Sequence, residues 1–185
     1  IVPETGQVTT IGHLPEGDFK WHGGVVGQDG NIYGIPDHAE SVLKIVPETG
    51  EVTMLDSPPL KGTYKWAGGA VADDGTIFAI PYCSDRVLKI VPHTGEVALI
   101  GESYAGESKW QSSTRGSDGG LYSFPVNSNK ILRIDGASGA VSTLDIPFDA
   151  THQYAGGVLS KDGSIYGVPL NAKFVLRISP DSAPR

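Results

Sequence analysis

The chain has 185 residues, of which 39% are hydrophobic, and its formal net charge is −7. This length allows one domain or at most two small ones, and the apolar content is enough for a packed core. An acidic surface repels phosphate backbones and argues against a nucleic-acid partner, and no apolar run reaches the roughly 18 residues of a membrane span.

Cysteine and glycosylation patterns exclude further classes of site. Cys83 is the one cysteine, so the chain can form no intrachain disulfide and no CxxC-type zinc or redox site. The sequence contains no Asn-x-Ser/Thr acceptor, so we expect no Asn-linked glycosylation. It also lacks the HxH, HExxH and DxDxDG spacings, and we therefore predict neither a metal site nor a cofactor.

One stretch, residues 65–100, occurs four times with variations. Its Asp-Gly pair at Asp74 recurs at intervals of 45, 44 and 44 residues along the chain, and the Val-Leu-Lys-Ile run that begins at Val87 recurs at the same spacing. The repeat contains four short β-prone runs, separated by an Asp-Gly turn, a polar loop and a Thr-Gly turn. The second and third runs are apolar on both faces, which is typical of sheets packed between other sheets.

Four antiparallel strands in about 44 residues, repeated, indicate β-propeller blades. We predict an all-β, four-bladed β-propeller with four antiparallel strands per blade, as a single domain over residues 1–185. A β-sandwich or an open β-solenoid is the alternative. The predicted blades cover residues 20–56, 64–101, 109–145 and 153–180, the last completed by residues 1–12.

The two chain ends suggest how the ring closes. Residues 1–6 match residues 45–50 in sequence, so the chain starts at the end of a third strand and then supplies a fourth strand at 7–11. We expect this strand to complete the last blade, a velcro closure between the N- and C-terminal strands that removes two exposed edges. Residues 178–183 restart the repeat, and four explanations remain open. The chain could be a piece of a longer array, two chains could combine into a larger ring, the tail could pair with a neighbour, or the tail could be frayed.

The repeat unit resembles the short blades of NHL, gluconolactonase-like and virginiamycin B lyase-like propellers. The resemblance lies in the pattern W-x-G-G-x-x-x-x-D-G-x-I-Y-G-I-P…V-L-K-I-x-P-x-T-G-x-V. It is also similar to tandem propeller repeats of uncharacterised protist and algal proteins. The resemblance covers nearly the whole chain. It implies the fold but no particular function, because propellers include enzymes, binding modules and scaffolds. The lyase and lactonase propellers use His, Glu, Asn or Asp around the channel, and this chain has no matching set.

The first candidate ligand site is a series of lysine–tryptophan pairs before three of the predicted inner strands, with Gln153-Tyr154 at the fourth position. A ring of aromatic side chains and donors at one channel mouth suits a sugar or a cationic group, whereas the alternative is that each aromatic packs between blades. The candidate residues are Lys20, Trp21, Lys65, Trp66, Lys109, Trp110 and Tyr154.

The third repeat departs from the others because Ser112-Ser113-Thr114 and Arg115 replace the usual small apolar run. Arg115 could bind an anion or carboxylate there, and drift with a solvent-exposed arginine is the alternative. His22 and His152 lie in segments that could converge on a channel mouth, with a surface role as the alternative.

Three functions remain open at this stage. We favour a non-enzymatic propeller that binds a carbohydrate or protein partner or self-assembles, and this hypothesis assigns no catalytic residue. The alternatives are a lyase- or lactonase-type enzyme with a site around Arg115, His22 and His152, and a structural subunit of a filament or coat. The sequence leaves the compartment open, and we expect an extracellular or cell-surface location in preference to the cytoplasm.

Overall fold

The structure is a computed structural model that describes residues 4–147 and 154–180. These residues form fifteen strands in four antiparallel sheets, each in simple meander order. Sheet 1 has β1 (Trp21–Val26), β2 (Ile32–Pro36), β3 (Leu43–Val46) and β4 (Glu51–Met54). Sheet 2 has β5 (Trp66–Val71), β6 (Ile77–Pro81), β7 (Val87–Val91) and β8 (Glu96–Ile100). Sheet 3 has β9 (Trp110–Arg115), β10 (Leu121–Pro125), β11 (Lys130–Ile134) and β12 (Val141–Asp145), and sheet 4 has β13 (Tyr154–Leu159), β14 (Ile165–Pro169) and β15 (Leu176–Ile178).

The Asp-Gly turn joins the first two strands of every sheet. In sheet 2, the Asp74 Oδ1 accepts a hydrogen bond from the backbone N–H of Thr76 at 2.8 Å, and Gly75 has a φ of +86°. Residues with a β-carbon are disfavoured at this angle, which explains the glycine. The turn places Val71 opposite Ile77 and so sets the register of the hairpin.

A bulge in each first strand brings neighbouring sheets into contact. At Gly68 φ is +75°, and a β-carbon there would lie 3.7 Å from the Cα of Ser112 in sheet 3. A β-carbon at Gly23 would likewise lie 3.5 Å from the Cα of Gly68. The first strands therefore run side by side with equivalent positions adjacent, and we call β1, β5, β9 and β13 the inner strands.

Three apolar clusters fill the spaces between successive sheets. Between sheets 1 and 2, Tyr33 and Ile35 of β2 pack against Trp66, Ile77 and Leu88 of sheet 2. We call the side of a sheet that faces its successor the forward face, and the opposite side the rear face. The second strands of sheets 2 and 3 are buried along their whole length between two clusters, which fits their largely apolar sequences. The clusters confirm the predicted all-β architecture of stacked antiparallel blades.

In the part of the chain that the structure describes, the predicted velcro closure is not formed. Sheet 4 has three strands among the described residues, and residues 7–11 do not pair with β15. Extensive contacts join β1 to β5, β5 to β9 and β9 to β13, whereas β1 and β13 are not joined in this way. The four sheets of the described chain form an open arc.

The N-terminal segment lies beside sheet 1 instead. A β-carbon at Gly12 would come within 2.6 Å of the Val52 side chain on β4. Gly101 is the equivalent residue two repeats later. It follows β8 of sheet 2, and a β-carbon there would contact the Val141 side chain of sheet 3 in the same way. Residues 7–12 therefore run where the outer strand of a sheet preceding sheet 1 would run, and the linker to β1 holds them there.

No helix among the described residues is long and apolar enough to cross a membrane.

Candidate ligand-binding site

Lys65 and Lys109 each tie a linker to the preceding sheet. Lys109 is buried, and its Nζ donates hydrogen bonds to the backbone carbonyls of Tyr82 (3.2 Å), Ser84 (2.8 Å) and Gly106 (2.8 Å). Lys65 is buried in the equivalent position and also donates to backbone carbonyls. Burial lowers the pKa of both ammonium groups. These two lysines therefore crosslink the backbone and do not face a channel.

The aromatic rings make one repeated hydrogen bond. The ring N–H or O–H donates to a backbone carbonyl twenty residues further on, for example from Trp110 Nε1 to Lys130 at 2.7 Å. The other members of the series do the same from Trp21, Trp66 and Tyr154. Trp66 and Trp110 are each 2% exposed and Tyr154 is fully buried, so their ring faces pack on protein. Trp21 is only half-buried, and the neighbouring Lys20 donates to the carbonyl of Pro15 at 3.0 Å.

A pocket opens beside each of the three tryptophans. Each is enclosed by the linker that leads into a sheet, the loop between the second and third strands of that sheet, and its outer strand. We call them linker pockets 1, 2 and 3, with volumes of about 350, 470 and 500 Å³ for sheets 1, 2 and 3. The equivalent segments of sheet 4 include residues 148–153, which lie outside the described part of the chain.

The three pockets share a scaffold but differ in chemistry at two lining positions. In linker pocket 1 these positions are Glu40 and Met54, and in linker pocket 2 they are Asp85 and Leu99. In linker pocket 3 they are Asn129 and Thr143. Pocket 3 thus replaces an acid by an amide and an apolar side chain by a hydroxyl, which adds neutral hydrogen-bonding groups.

Linker pocket 3 also carries an aromatic wall. The ring of Tyr104 lies edge-on to Trp110, with centroids 5.3 Å apart and an interplanar angle of 87°. Its backbone N–H donates to the carbonyl of Asp85 at 2.8 Å, which fixes the linker. Burial raises the pKa of the Tyr104 hydroxyl, so it remains protonated at neutral pH. Asn127 and Lys130 line the pocket from the side of the β10–β11 loop and β11.

The unusual inner strand of sheet 3 makes ties to its neighbours. Arg115 forms an ion pair with Asp73, in the turn of sheet 2. On the other side, Thr114 Oγ1 donates to the carbonyl of Gly157 in sheet 4 at 2.6 Å. Ser112 takes the bulge position held by glycine elsewhere, with a φ of +47°. These contacts fit a structural role for Ser112, Thr114 and Arg115, the residues that depart from the repeat.

Two residues of the alternative enzyme site, His22 and Arg115, are not brought together. His22 is the second residue of β1 and Arg115 is the last residue of β9. Because the inner strands run in the same direction, these side chains lie at opposite ends of the strands, roughly 13 Å apart along the strand axis at 3.3 Å per residue. His152 lies outside the described residues. In the described part of the chain no group of three or more His, Cys, Asp or Glu side chains could hold a metal ion.

Exposed aromatic residues form a second surface feature that the sequence did not single out. Phe19 and Tyr64 are both exposed, and their rings lie 5.9 Å apart, with His38 4.5 Å from Tyr64. Both have a positive φ, 47° and 49°, in a region of backbone conformation that side chains avoid. The two residues share the position just before the repeat lysine. Comparing the four repeats position by position would have shown both this pair and the varied lining of the linker pockets.

Comparisons with known proteins place the chain in a fold. A streptogramin B lyase structure matches at 24% identity and a TM-score of 0.73, over 91% of this chain and 54% of that one. Virginiamycin B lyase from Staphylococcus aureus matches at 17% identity and a TM-score of 0.72, over 89% and 54%. An auxiliary nutrient binding protein from Bacteroides ovatus matches at 12% identity and a TM-score of 0.59, over 86% and 38%.

The likeness to these structures establishes the β-propeller fold and confirms the predicted resemblance to virginiamycin B lyase-like propellers. The chain spans about half the length of the two lyase structures. No protein-family model matches the chain, and no curated protein does. At sequence identities below 25%, the functional residues of these structures cannot be transferred to this chain. Its function therefore has to be inferred from its own surface.

Proposed function

We propose that this chain is a non-catalytic binding module and that linker pocket 3 binds a carbohydrate. The observation that carries the proposal is the occurrence of three equivalent pockets at Trp21, Trp66 and Trp110. A repeated pocket on a repeated scaffold suits a ligand that itself has repeated units. The conserved scaffold is held by buried lysine and tryptophan contacts, so the lining can vary without loss of the fold.

Linker pocket 3 has the composition that a sugar requires. Sugar hydroxyls need neutral donors and acceptors, which Asn127, Asn129 and Thr143 offer, and a sugar ring needs an apolar surface, which Tyr104 offers. Its volume of about 500 Å³ lies in the ordinary range for a small-molecule site. Lys130 would add a charged donor, although it also pairs with Asp145 at 3.0 Å.

The same reasoning favours binding over catalysis. His22 and Arg115 lie at opposite ends of the inner strands, and Arg115 is paired with Asp73. General acid–base chemistry needs such groups within hydrogen-bond reach of one substrate. The propeller structures similar to this chain include lyases and a nutrient-binding protein, so the fold accommodates either function. A carbohydrate ligand is consistent with an extracellular or cell-surface location.

A glycan array followed by calorimetry tests the proposal. The wild-type chain is applied to an array of neutral oligosaccharides, and the best hit is titrated against wild type and the double variant Asn129→Asp with Thr143→Leu. This variant gives pocket 3 the lining that pocket 2 already has, so the fold is retained. Two lost hydrogen bonds at about 0.5–1.5 kcal/mol each predict a loss of affinity of roughly 5- to 150-fold.

The matched control is Leu99→Thr in linker pocket 2, which leaves pocket 3 intact, including the hydrogen bond from its Ser103 hydroxyl to Asp85. We expect it to bind the hit at least as well as wild type does. The proposal is overturned if the array retains no carbohydrate, or if the pocket 3 variant binds with wild-type affinity.

A further inference from the structure

The forward face of sheet 4 is an apolar surface that no described residue covers. Phe124 of sheet 3 is 1% exposed because sheet 4 covers it, and the equivalent Val168 of sheet 4 is 49% exposed. Ile131 of sheet 3 is 4% exposed, and its equivalent Val175 is 61% exposed. Val158, on the same face, is 60% exposed. The repeat thus supplies packing residues at this face that residues 4–147 and 154–180 leave exposed.

The rear face of sheet 1 is also more exposed than the rear faces of the later sheets. Trp21 is half-buried, although its equivalents in the later sheets are nearly inaccessible. Val26 is 64% exposed, whereas the equivalent Val71 packs against the cluster between sheets 1 and 2. Ile32 is half-buried, and its equivalent Ile77 is fully buried. The described residues therefore leave one forward face and one rear face without a facing sheet.

The three internal junctions show how such faces fit together. In the first and the third, a forward-face side chain of the second strand meets a glycine on the rear face of the next sheet. Ile35 lies against Gly69, and Phe124 lies against Gly157. By the same register, Val168 would meet Gly24, where an added β-carbon has only ordinary contacts. A forward face and a rear face of this chain are therefore complementary surfaces.

Polar contacts between turns accompany each junction. Gln28 in sheet 1 donates to the carbonyl of Asp73 in sheet 2 at 2.9 Å, and Asp73 pairs with Arg115 in sheet 3. Ser117 in sheet 3 donates to the carbonyl of Gly163 in sheet 4 at 3.3 Å. The equivalent residue of sheet 4 is Lys161, whose ammonium is a donor for the carbonyls of a following turn.

The outer strands point to the same partner. Sheet 4 lacks a fourth strand among the described residues, and β15 is its edge. Residues 7–12 run beside sheet 1, where the outer strand of a preceding sheet would lie, with Gly12 against Val52. A sheet 4 placed on the rear face of sheet 1 would bring β15 next to residues 7–11. Pairing them would remove an exposed edge.

We propose that two copies of this chain join head to tail into one ring. The forward face of sheet 4 in each copy covers the rear face of sheet 1 in the other, and residues 7–11 complete sheet 4 of the partner. The two junctions are identical, and the ring of eight sheets closes with two-fold symmetry. Among the described residues β1 and β13 share no extensive contacts, and a second copy would cover both faces at once.

A designed disulfide tests the partner and the register together. In a Cys83→Ser background, Gly24→Cys and Val168→Cys are introduced, and the chain is oxidised at low concentration. We expect covalent dimers on a non-reducing gel, because Val168 of one copy faces Gly24 of the other. Closure within one chain would give a crosslinked monomer, an open chain of copies would give a ladder, and unrelated faces would give no crosslink. Each of these three results would overturn the proposal.

Sedimentation of the chain without engineered cysteines provides the second measurement. We expect twice the mass of one chain for wild type and the mass of a single chain for Val168→Asp, which puts a charge into the proposed junction. Phe19→Asp is the matched control, since Phe19 is 65% exposed but lies on neither face. A monomeric wild type, or a dimer that withstands Val168→Asp, would contradict the two-copy ring.

Discussion

Replacing Trp66 by alanine tests whether the repeated tryptophans hold the fold. Trp66 is 2% exposed, packs with Tyr33, Ile35 and Val42, and donates to the carbonyl of Arg86 at 2.9 Å. Truncation of a buried aromatic costs about 3–5 kcal/mol. The unpaired carbonyl accounts for about 1–3 kcal/mol of this where water cannot reach it. Domains of ordinary stability unfold with about 5–15 kcal/mol, so the variant should fold but unfold at much lower denaturant concentration.

The assay is guanidinium unfolding followed by tryptophan fluorescence and circular dichroism. Trp21→Ala is the matched control, because Trp21 makes the same hydrogen bond, to Ser41 at 2.9 Å, but is only half-buried. We expect a clearly smaller loss there, since the stabilisation follows the apolar area buried. Equal losses in the two variants, or a loss below about 1 kcal/mol for Trp66→Ala, would refute a packing role. Binding of the array ligand should be unchanged in Trp66→Ala, because the proposed site is linker pocket 3.

Two further substitutions test the bulge and the turn network. Ser112→Gly should stabilise the chain by about 1 kcal/mol in the same unfolding assay, because the φ of +47° costs a residue with a β-carbon about 1–2 kcal/mol. A loss of stability would mean that the contacts of the Ser112 hydroxyl outweigh the backbone strain. Burial raises the pKa of Asp118, but hydrogen bonds from Tyr122 and Arg133 outweigh it, and the pKa lies below 3.8. Asp118 therefore contributes stability above pH 3.8 that is lost as the pH falls through its folded pKa, and Asp118→Asn should flatten this part of the acid unfolding profile. An unchanged profile would show that Asp118 does not govern it.

The architecture was predictable because it rests on local, repeated signals. The Asp-Gly turn sets each first hairpin, and the two-sided apolar second strand requires a sheet on both sides. The velcro closure does not form among the described residues, and local signals could not have shown this. Residues 7–11 do match a fourth strand in sequence, but the linker to β1 holds them beside Val52, away from β15.

The candidate site was predictable only in its position. The sequence drew attention to the tryptophans, and the linker pockets do lie beside them. It could not show that Trp66 and Trp110 have their faces covered, because a surface aromatic and a buried one look alike in sequence. The lining of linker pocket 3 by Asn129 and Thr143 depends on a linker folding back over a loop 20 residues away. Such a contact leaves no periodic pattern.

The most direct test of the binding account is an NMR titration of the labelled chain with the carbohydrate that the array identifies. The account predicts that backbone amide shifts concentrate in residues 103–110 and 127–130 and at Thr143, which enclose linker pocket 3. Shifts centred instead on the ends of the inner strands, near His22 or Arg115, would contradict it and would favour a site at the channel mouth.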